Sequence, residues 1–286
     1  TNGTSAVVSK QVIETLSPAK LNLFLHVTGQ RDNGYHELQS VFRRLELADR
    51  LAISIKRGPP NITVDAPASL GRPEDNLVWR AASAFLQTTR CEWDIRIELD
   101  KQIPVGAGLG GGSSDAASVL LALNELSGGV VSAKGLQEMA LRLGADVPFF
   151  LWGSDAWVEG VGEVITPIEM PDGWFLLVNP RVHVGTQEIF QSKELTRSHE
   201  VRTIAGFLDE AVREEEWVND LEPVVCSRFE EVRALQRWFR GYGAAKMSGS
   251  GSTFFLECRS ESEARSIAKE VPPKWWHCVT KSMGKS

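Results

Sequence analysis

The stretch PVGAGLGGGSSDAAS, residues 104–118, sets Gly106, Gly108, Gly110, Gly111 and Gly112 directly before a run that reads as a helix. Each glycine costs backbone entropy on folding, so the concentration needs a physical reason. A glycine-rich loop that opens a helix is a site for an anion. Its backbone allows close approach, the first-turn N–H groups are free, and the helix dipole adds partial positive charge. A flexible linker is the plain alternative, but linkers do not run straight into a capped amphipathic helix. Three further groups could do chemistry. Lys20, Asn22, Phe24 and His26 alternate with Leu21, Leu23, Leu25 and Val27. A lysine, an amide and an imidazole thus share one face of a strand whose other face is apolar. Asp146 stands between the helix stop Gly144 and Pro148, against the apolar FFLW; a turn-capping aspartate and an anchored carboxylate both fit there. Tyr35 and His36 follow the Asn33-Gly34 turn.

Three phosphate-binding grammars can be tested against the loop. Gly106 and Gly111 have Walker A spacing, but Gly112 stands where that loop needs lysine. Ser113 replaces the valine of the protein-kinase loop, and neither His-Arg-Asp nor Asp-Phe-Gly occurs. Gly106-x-Gly108-x-x-Gly111 matches the dinucleotide fingerprint literally, with Glu125 further on. That fingerprint needs an apolar strand entering its first glycine and an acid ending a second strand. Here Asp100, Lys101, Gln102 and Pro104 intervene, and Glu125 lies in a helical run. A nicotinamide-dependent oxidoreductase is an alternative whose context speaks against it.

PVGAGLGGGSSDAA resembles the second motif of the GHMP kinases, the family of galactokinase, homoserine kinase and mevalonate kinase. In that family the loop wraps the phosphates of ATP. SPAKLNLFLHVTGQRDNGYHELQSVF (17–42) and GADVPFF (144–150) resemble the opening and the catalytic segment of members acting on a CDP-linked methylerythritol. KMSGSGSTFF (246–255) resembles the third motif, a second glycine loop that closes on the phosphates. The resemblance implies an α+β fold of two-domain GHMP kinase architecture. Its N-terminal ATP-binding domain, ribosomal-S5-domain-2-like, would span 1–165, and its ferredoxin-like C-terminal domain 166–286. The implied activity is ATP-dependent phosphorylation of the substrate's 2-hydroxyl, in the non-mevalonate route to isoprenoid precursors. A GHMP kinase for another small alcohol, homoserine or mevalonate, is the nearest alternative; a non-catalytic binding protein on the same scaffold is a third.

The resemblance also implies roles. Lys20 lies beside the transferred phosphoryl group, where an ammonium stabilises negative charge. Asp146 is the base that accepts the substrate hydroxyl proton. Pro104, Val105, Gly106, Ala107, Gly108, Leu109, Gly110, Gly111, Gly112, Ser113 and Ser114 cradle ATP. Asn76 and Lys101 match positions near the adenine, though Asn76 equally fits the N-cap of its own helix. Asn22 binds substrate, Tyr35 stacks on cytosine, His36 bonds the base edge and Phe190 takes the other face. Phe190 reads equally as a helix core residue. ATP-dependent transfer implies Mg²⁺, and no acid stands out as its ligand. Asp115, in the first turn of the phosphate-facing helix, would repel phosphate; it either points away or approaches through Mg²⁺.

The elements that must position these groups follow from pattern. Strands are expected at 20–28, 37–47, 50–56, 61–65, 93–100, 155–160, 162–169, 174–180, 252–258 and 275–280. Helices are expected at 76–87, 113–126, 132–143, 185–192, 201–213, 223–239 and 260–269, with Val147 held extended by Pro148. The 286 residues are 42% hydrophobic and 24% charged, enough for a core and, by length, for two domains. A net charge of −6 argues against nucleic-acid binding. No apolar run approaches the roughly 20 residues of a membrane helix. TNGTSAVVSK (1–10) lacks the apolar core of a secretory signal. A cytoplasmic protein, monomer or weak homodimer, acting on a small molecule is expected. The sequons at Asn2 and Asn61 then read as chance, and Cys91, Cys226, Cys258 and Cys278, with no C-x-x-C, as reduced thiols.

Overall fold

The computed structural model describes residues 11–209 and 216–284. The stretch 1–10, with the Asn2 sequon, lies outside them. The chain forms two compact units that interleave along the sequence. One takes the residues up to Ser17, Ala48–Gln102 and Gly111–Trp152; the other takes Pro18–Leu47, Ile103–Gly110 and Gly153 onward. This partition differs from a single cut at 165/166, because two long strands, β1 (Gln11–Gln30) and β2 (His36–Arg57), each pass from one unit to the other.

The first unit holds β3 (Asn61–Asp65), α1 (Leu77–Thr89), β4 (Trp93–Asp100), α2 (Gly111–Leu126), α3 (Ala133–Leu143) and α4 (Val147–Trp152). Here β2 pairs antiparallel with β4, from Arg50 opposite Asp100 to Arg57 opposite Trp93. β3 lies parallel to β4, with α1 as the crossover. β4 shows a clean period of two: Ile95, Ile97 and Leu99 are buried while Asp94, Arg96, Glu98 and Asp100 are exposed. Phe85 and Leu86 of α1, Leu120 and Leu123 of α2 and Phe149 of α4 supply the helical side of this core. Asn76 caps α1 by accepting from Val78 N (3.1 Å), and Ser132 caps α3 through Gly135 N (3.2 Å).

Two local expectations need correction here. Val147 is not extended: it opens α4, and Pro148 occupies a first-turn position where its missing N–H costs nothing. The strands expected at 37–47 and 50–56 are one strand, β2. Asp49, a residue that usually ends strands, stays inside it because its carboxylate accepts from Gln102 N (2.6 Å) and from the Lys101 ammonium.

In the second unit, Leu38–Phe42 of β2 pairs antiparallel with β5 (Ala156–Gly160), which pairs with β6 (Val164–Pro167). The rest comprises β7 (Trp174–Asn179), α5 (Thr186–Phe190), α6 (Ile204–Leu208), α7 (Glu222–Arg228), α8 (Glu230–Phe239), β8 (Lys246–Met247), β9 (Phe254–Cys258), α9 (Glu261–Ala268) and β10 (Trp276–Lys281). Strands β7 to β10 form an antiparallel sheet of order β10-β7-β9-β8, the βαββαβ arrangement of a ferredoxin-like fold. The helix expected over 223–239 is two helices. Phe229 turns extended between them (φ −118°, ψ 107°) and packs on the core beneath α7 and α8. The helix expected over 201–213 is helical at Ile204–Leu208, and residues 210–213 lie outside the described ones. The chain is thus α+β. Among the described residues no helix is long and apolar enough to cross a membrane.

Candidate functional site

The glycine loop is anchored by its apolar members. Ile103, Ala107 and Leu109 are buried with Ala19, Leu21, Phe175, Leu177 and Phe255, while Val105 and Gly106 stay exposed. Between these anchors the backbone meets the second glycine-rich segment. Ser248 Oγ donates to Gly108 O (2.8 Å) and accepts from Asn22 N (3.1 Å). Thr253 N donates to Ala107 O (3.2 Å), and Lys20 N to Leu109 O (2.9 Å). Gly108 has φ +77°, and a Cβ there would run into Ser248 O. Gly106 has φ +64°, and its Cβ would lie 2.7 Å from His183 Nδ1. Left-handed backbone and close approach together explain why these positions are glycine.

Lys20 is not a solvated strand-end lysine: it is 3% exposed. Its ammonium donates to Asn22 Oδ1 and lies 4.5 Å above the Phe42 ring. Asn22 Nδ2 donates to Ser40 Oγ (2.9 Å), which donates to Phe24 O (2.5 Å). The amide that receives Lys20 is therefore itself fixed. The expected polar face of this strand dissolves one turn of the pleat later. Phe24 and His26 are as buried as Leu21 and Val27 on the opposite face. His26 stacks on His199 (3.5 Å between centroids, 11°) beside Phe24 and Trp217. Neither of its ring nitrogens reaches hydrogen-bond geometry. Burial, then His199, pushes its pKa down to about 3, against an upward pull from the Glu216 backbone.

A second cluster brings His36 and Phe190 together, 5.1 Å between ring centroids at 34°. His36 is 9% exposed; burial, then Arg197, lowers its pKa. Arg197 Nε donates to His36 Nε2 (3.0 Å). Tyr35, by contrast, is 63% exposed. Its turn is tied by Arg31 N to Tyr35 O (2.7 Å), Gly34 N to Arg31 O (2.8 Å) and Tyr35 N to Asn33 Oδ1 (3.1 Å). The Arg31 side chain holds the base of the turn through Glu37 and Glu163 (2.9 Å to the latter).

In the first unit Asp146 occupies the turn between α3 and α4, half-buried, one residue before α4 begins. Asn76 is spent on capping α1. Lys101 is spent on carboxylates: its ammonium sits between Asp49 and Asp115 (2.8 Å to the latter). Asp115 is therefore buried and engaged with Lys101. Burial pushes it up to about 7, against the pull of Lys101 and helped by the neighbouring Asp49. Burial opposes the ammonium of Lys101, but Asp115 and Asp49 outweigh it and raise its pKa. Ser113 is partly exposed, whereas Ser114 is fully buried, its hydroxyl without a partner.

Several site residues carried no sequence signal. Asn219 Nδ2 donates to Met247 O (2.7 Å) and Gly249 O (2.8 Å), suspending the second glycine segment from a buried amide. Asn179 Nδ2 does the same through Thr253 Oγ1 (2.9 Å). Ser248 lies within KMSGSGSTFF, where nothing in the local spacing distinguishes it from its neighbouring serines. Arg197 and Asp49 sit in ordinary charged stretches and show their roles only through distant partners.

Comparisons with known proteins identify the family. The family profile for the GHMP kinases N terminal domain matches residues 76–154, and that for GHMP kinases C terminal matches 208–278. A 4-diphosphocytidyl-2-C-methyl-D-erythritol kinase of Burkholderia thailandensis is 44% identical over 283 residues, 96% of each chain. One of Burkholderia pseudomallei is 44% identical over 96% of this chain and 95% of its own. A crystal structure of 4-(cytidine 5'-diphospho)-2C-methyl-D-erythritol kinase superposes with a TM-score of 0.80 at 35% identity, covering 95% of this chain and all of that one. Homoserine kinase from Cytophaga hutchinsonii shares the fold at 18% identity, with a TM-score of 0.72 over 99% of this chain and 97% of its own. The two profiles, the near-complete overlap with these relatives and the joined glycine segments have one reading: the chain belongs to the GHMP kinase family, ATP-dependent enzymes acting on small molecules.

Proposed function

We propose that the chain transfers the γ-phosphoryl group of ATP to the 2-hydroxyl of 4-diphosphocytidyl-2-C-methyl-D-erythritol, a step of non-mevalonate isoprenoid precursor synthesis. The observation that carries the substrate assignment is the pairing of His36 with Phe190, an imidazole edge beside an aromatic face. Cytosine offers a π-face and a hydrogen-bonding edge to such a pair. Homoserine and mevalonate offer neither. Tyr35, exposed on its braced turn, supplies the other stacking face. Glu125 lies inside α2 and not at a strand end, which speaks against the nicotinamide alternative.

Lys20, buried and held by Asn22, stabilises charge on the transferred group and on the attacking oxygen. Asp146 accepts the hydroxyl proton. Phosphoryl transfer has a loose transition state, so positioning matters more than base strength. The glycine loop from Pro104 to Gly112, with Ser113 and Ser114 in the first turn of α2, receives the triphosphate. Asn76 and Lys101 act near the adenine through the backbone they fix, since both side chains are engaged. ATP-binding work falls to residues before 165 and the remaining glycine segment to those after. For Mg²⁺, the donor set decides: among the described residues no cluster of three or more His, Cys, Asp or Glu could hold a metal. Asp115 is committed to Lys101. These side chains do not fit a protein cage; Mg²⁺ enters with the phosphates of ATP, and no step here is assigned to it.

ADP release from Mg·ATP tests the reading. The acceptors are the CDP-linked methylerythritol, the same polyol without cytidine, homoserine and mevalonate, each alone. Turnover with the first alone is expected. Turnover with the bare polyol at equal kcat/KM would discard the base pocket, and turnover with homoserine or mevalonate would discard the substrate.

A further inference from the structure

We propose that Arg197 is a specificity-determining residue: it locks His36 as a hydrogen-bond donor, so that the pocket takes cytosine and refuses uracil. The inference rests on the reading of His36 as the residue that meets the base edge. Its physical core is independent of that reading. A guanidinium has donors and no acceptor, and it keeps its proton. Because Arg197 Nε donates to His36 Nε2 (3.0 Å), that nitrogen must be the acceptor, and a neutral ring must carry its proton on Nδ1.

Arg197 has little freedom to do otherwise. Nη1 donates to Leu195 O (3.0 Å), and Nη2 to Phe190 O (2.9 Å) and Ser192 O (2.7 Å). The fork is thus seated on three carbonyls before it reaches His36. One of these belongs to Phe190, so the same side chain fixes both members of the aromatic pair. Protonating His36 would set a second N–H against the Nε–H of Arg197, and the lowered pKa of His36 agrees with a neutral ring.

The remaining edge of His36 is Nδ1–H, with no acceptor among the described residues. Its complement is a ring nitrogen with a lone pair. N3 of cytosine is such an acceptor; N3 of uracil carries a hydrogen. Donor against donor leaves two polar groups unpaired, and sites built around a hydrogen bond reject such analogues strongly. An imidazole without Arg197 could present either tautomer and would lose that selectivity.

The test compares kcat/KM for the CDP-linked substrate and its UDP-linked analogue, in wild type and in Arg197→Met. Wild type should favour cytidine by about 100-fold or more. Arg197→Met should narrow the ratio to about 10-fold or less, because His36 regains its second tautomer. Equal losses on both substrates, with the ratio intact, would mean a merely structural arginine and overturn the inference. A wild type that does not discriminate would overturn the base reading itself, and this inference with it. Nitrogen NMR of the wild type, with His36→Ala for assignment, needs no variant of Arg197 to fold. It should show His36 protonated at Nδ1; protonation at Nε2 would overturn the proposal whatever the kinetics.

Discussion

Gly108→Ala is the sharpest perturbation of the phosphate loop, and Gly112→Ala is its control. At Gly108 the backbone is left-handed (φ +77°), which costs an L-residue about 1–2 kcal/mol. The new methyl would also collide with Ser248 O, a backbone atom that cannot swing aside. Moving it breaks the bonds from Ser248 Oγ to Gly108 O (2.8 Å) and from Asn22 N to Ser248 Oγ (3.1 Å). At about 1 kcal/mol net each, the total is roughly 3–4 kcal/mol. If that energy must be recovered when ATP binds, KM for ATP rises by about 100-fold or more. At Gly112 no positive φ occurs, and a Cβ would meet Leu77 Cδ1 at 3.6 Å, an ordinary contact. Gly112→Ala should therefore leave the melting temperature unchanged or slightly raised. If phosphate approaches the backbone there, it should still weaken ATP. Steady-state kinetics with varied ATP, beside thermal melts, separate the two. A Gly108→Ala enzyme with normal KM for ATP would refute the claim that the two glycine segments hold the site together. A Gly112→Ala enzyme with normal KM would refute close phosphate approach at that residue.

Three other outcomes are expected. Asp146→Asn should lower kcat by about 10²–10⁴-fold while leaving nucleotide affinity near wild type; normal turnover would remove Asp146 from its role. His26, held at about 3 against an ordinary 6.5, binds fewer protons folded than unfolded between those values. Its contribution is full above 6.5 and lost as pH falls toward 3, so His26→Phe should flatten the fall in melting temperature between pH 7 and 5; an unchanged profile would contradict this. Asp115 runs the other way. Raised from 3.8 to about 7, it favours the folded state most below 3.8, and that advantage is lost as pH rises through 7. Asp115→Asn should gain melting temperature relative to wild type at pH 8 but not at pH 4, and an equal change at both would count against a buried titrating carboxylate.

Local pattern was legible where local physics decides. The β4 strand alternates buried and exposed residues as its sequence does, and the Asn76 and Ser132 caps start their helices where such residues should. The glycine loop was legible because its spacing is itself the signal, whereas the role of Lys20 is implied by the resemblance and not by the alternation around it. What stayed hidden depends on partners far along the chain. Asp49 reads as a strand breaker until Lys101 and Gln102 occupy it. His26 reads as part of a polar face until His199 and Trp217 cover it. Arg197 reads as a surface charge until its four bonds are counted against His36, Phe190, Ser192 and Leu195. Phe229 breaks a helix that its own periodicity would continue, because burying the ring outweighs one extended residue.

The interleaved strands bear on how the protein is made. Ala19, Leu21 and Leu45 leave the ribosome well before the residues that cover them. They pack against Phe175, Leu177 and Phe255, and Leu47 N donates to Thr280 Oγ1 (3.0 Å). During translation, the apolar residues these two long strands turn toward Phe175, Leu177 and Phe255 must wait uncovered until those residues follow. Apolar surface exposed in this way invites aggregation and engages chaperones. A stop codon or protease cut near residue 165 would not release a self-sufficient half. It would strand the segment bearing Lys20 without the neighbours that bury it, so loss of the last strand should inactivate the protein as surely as loss of the first.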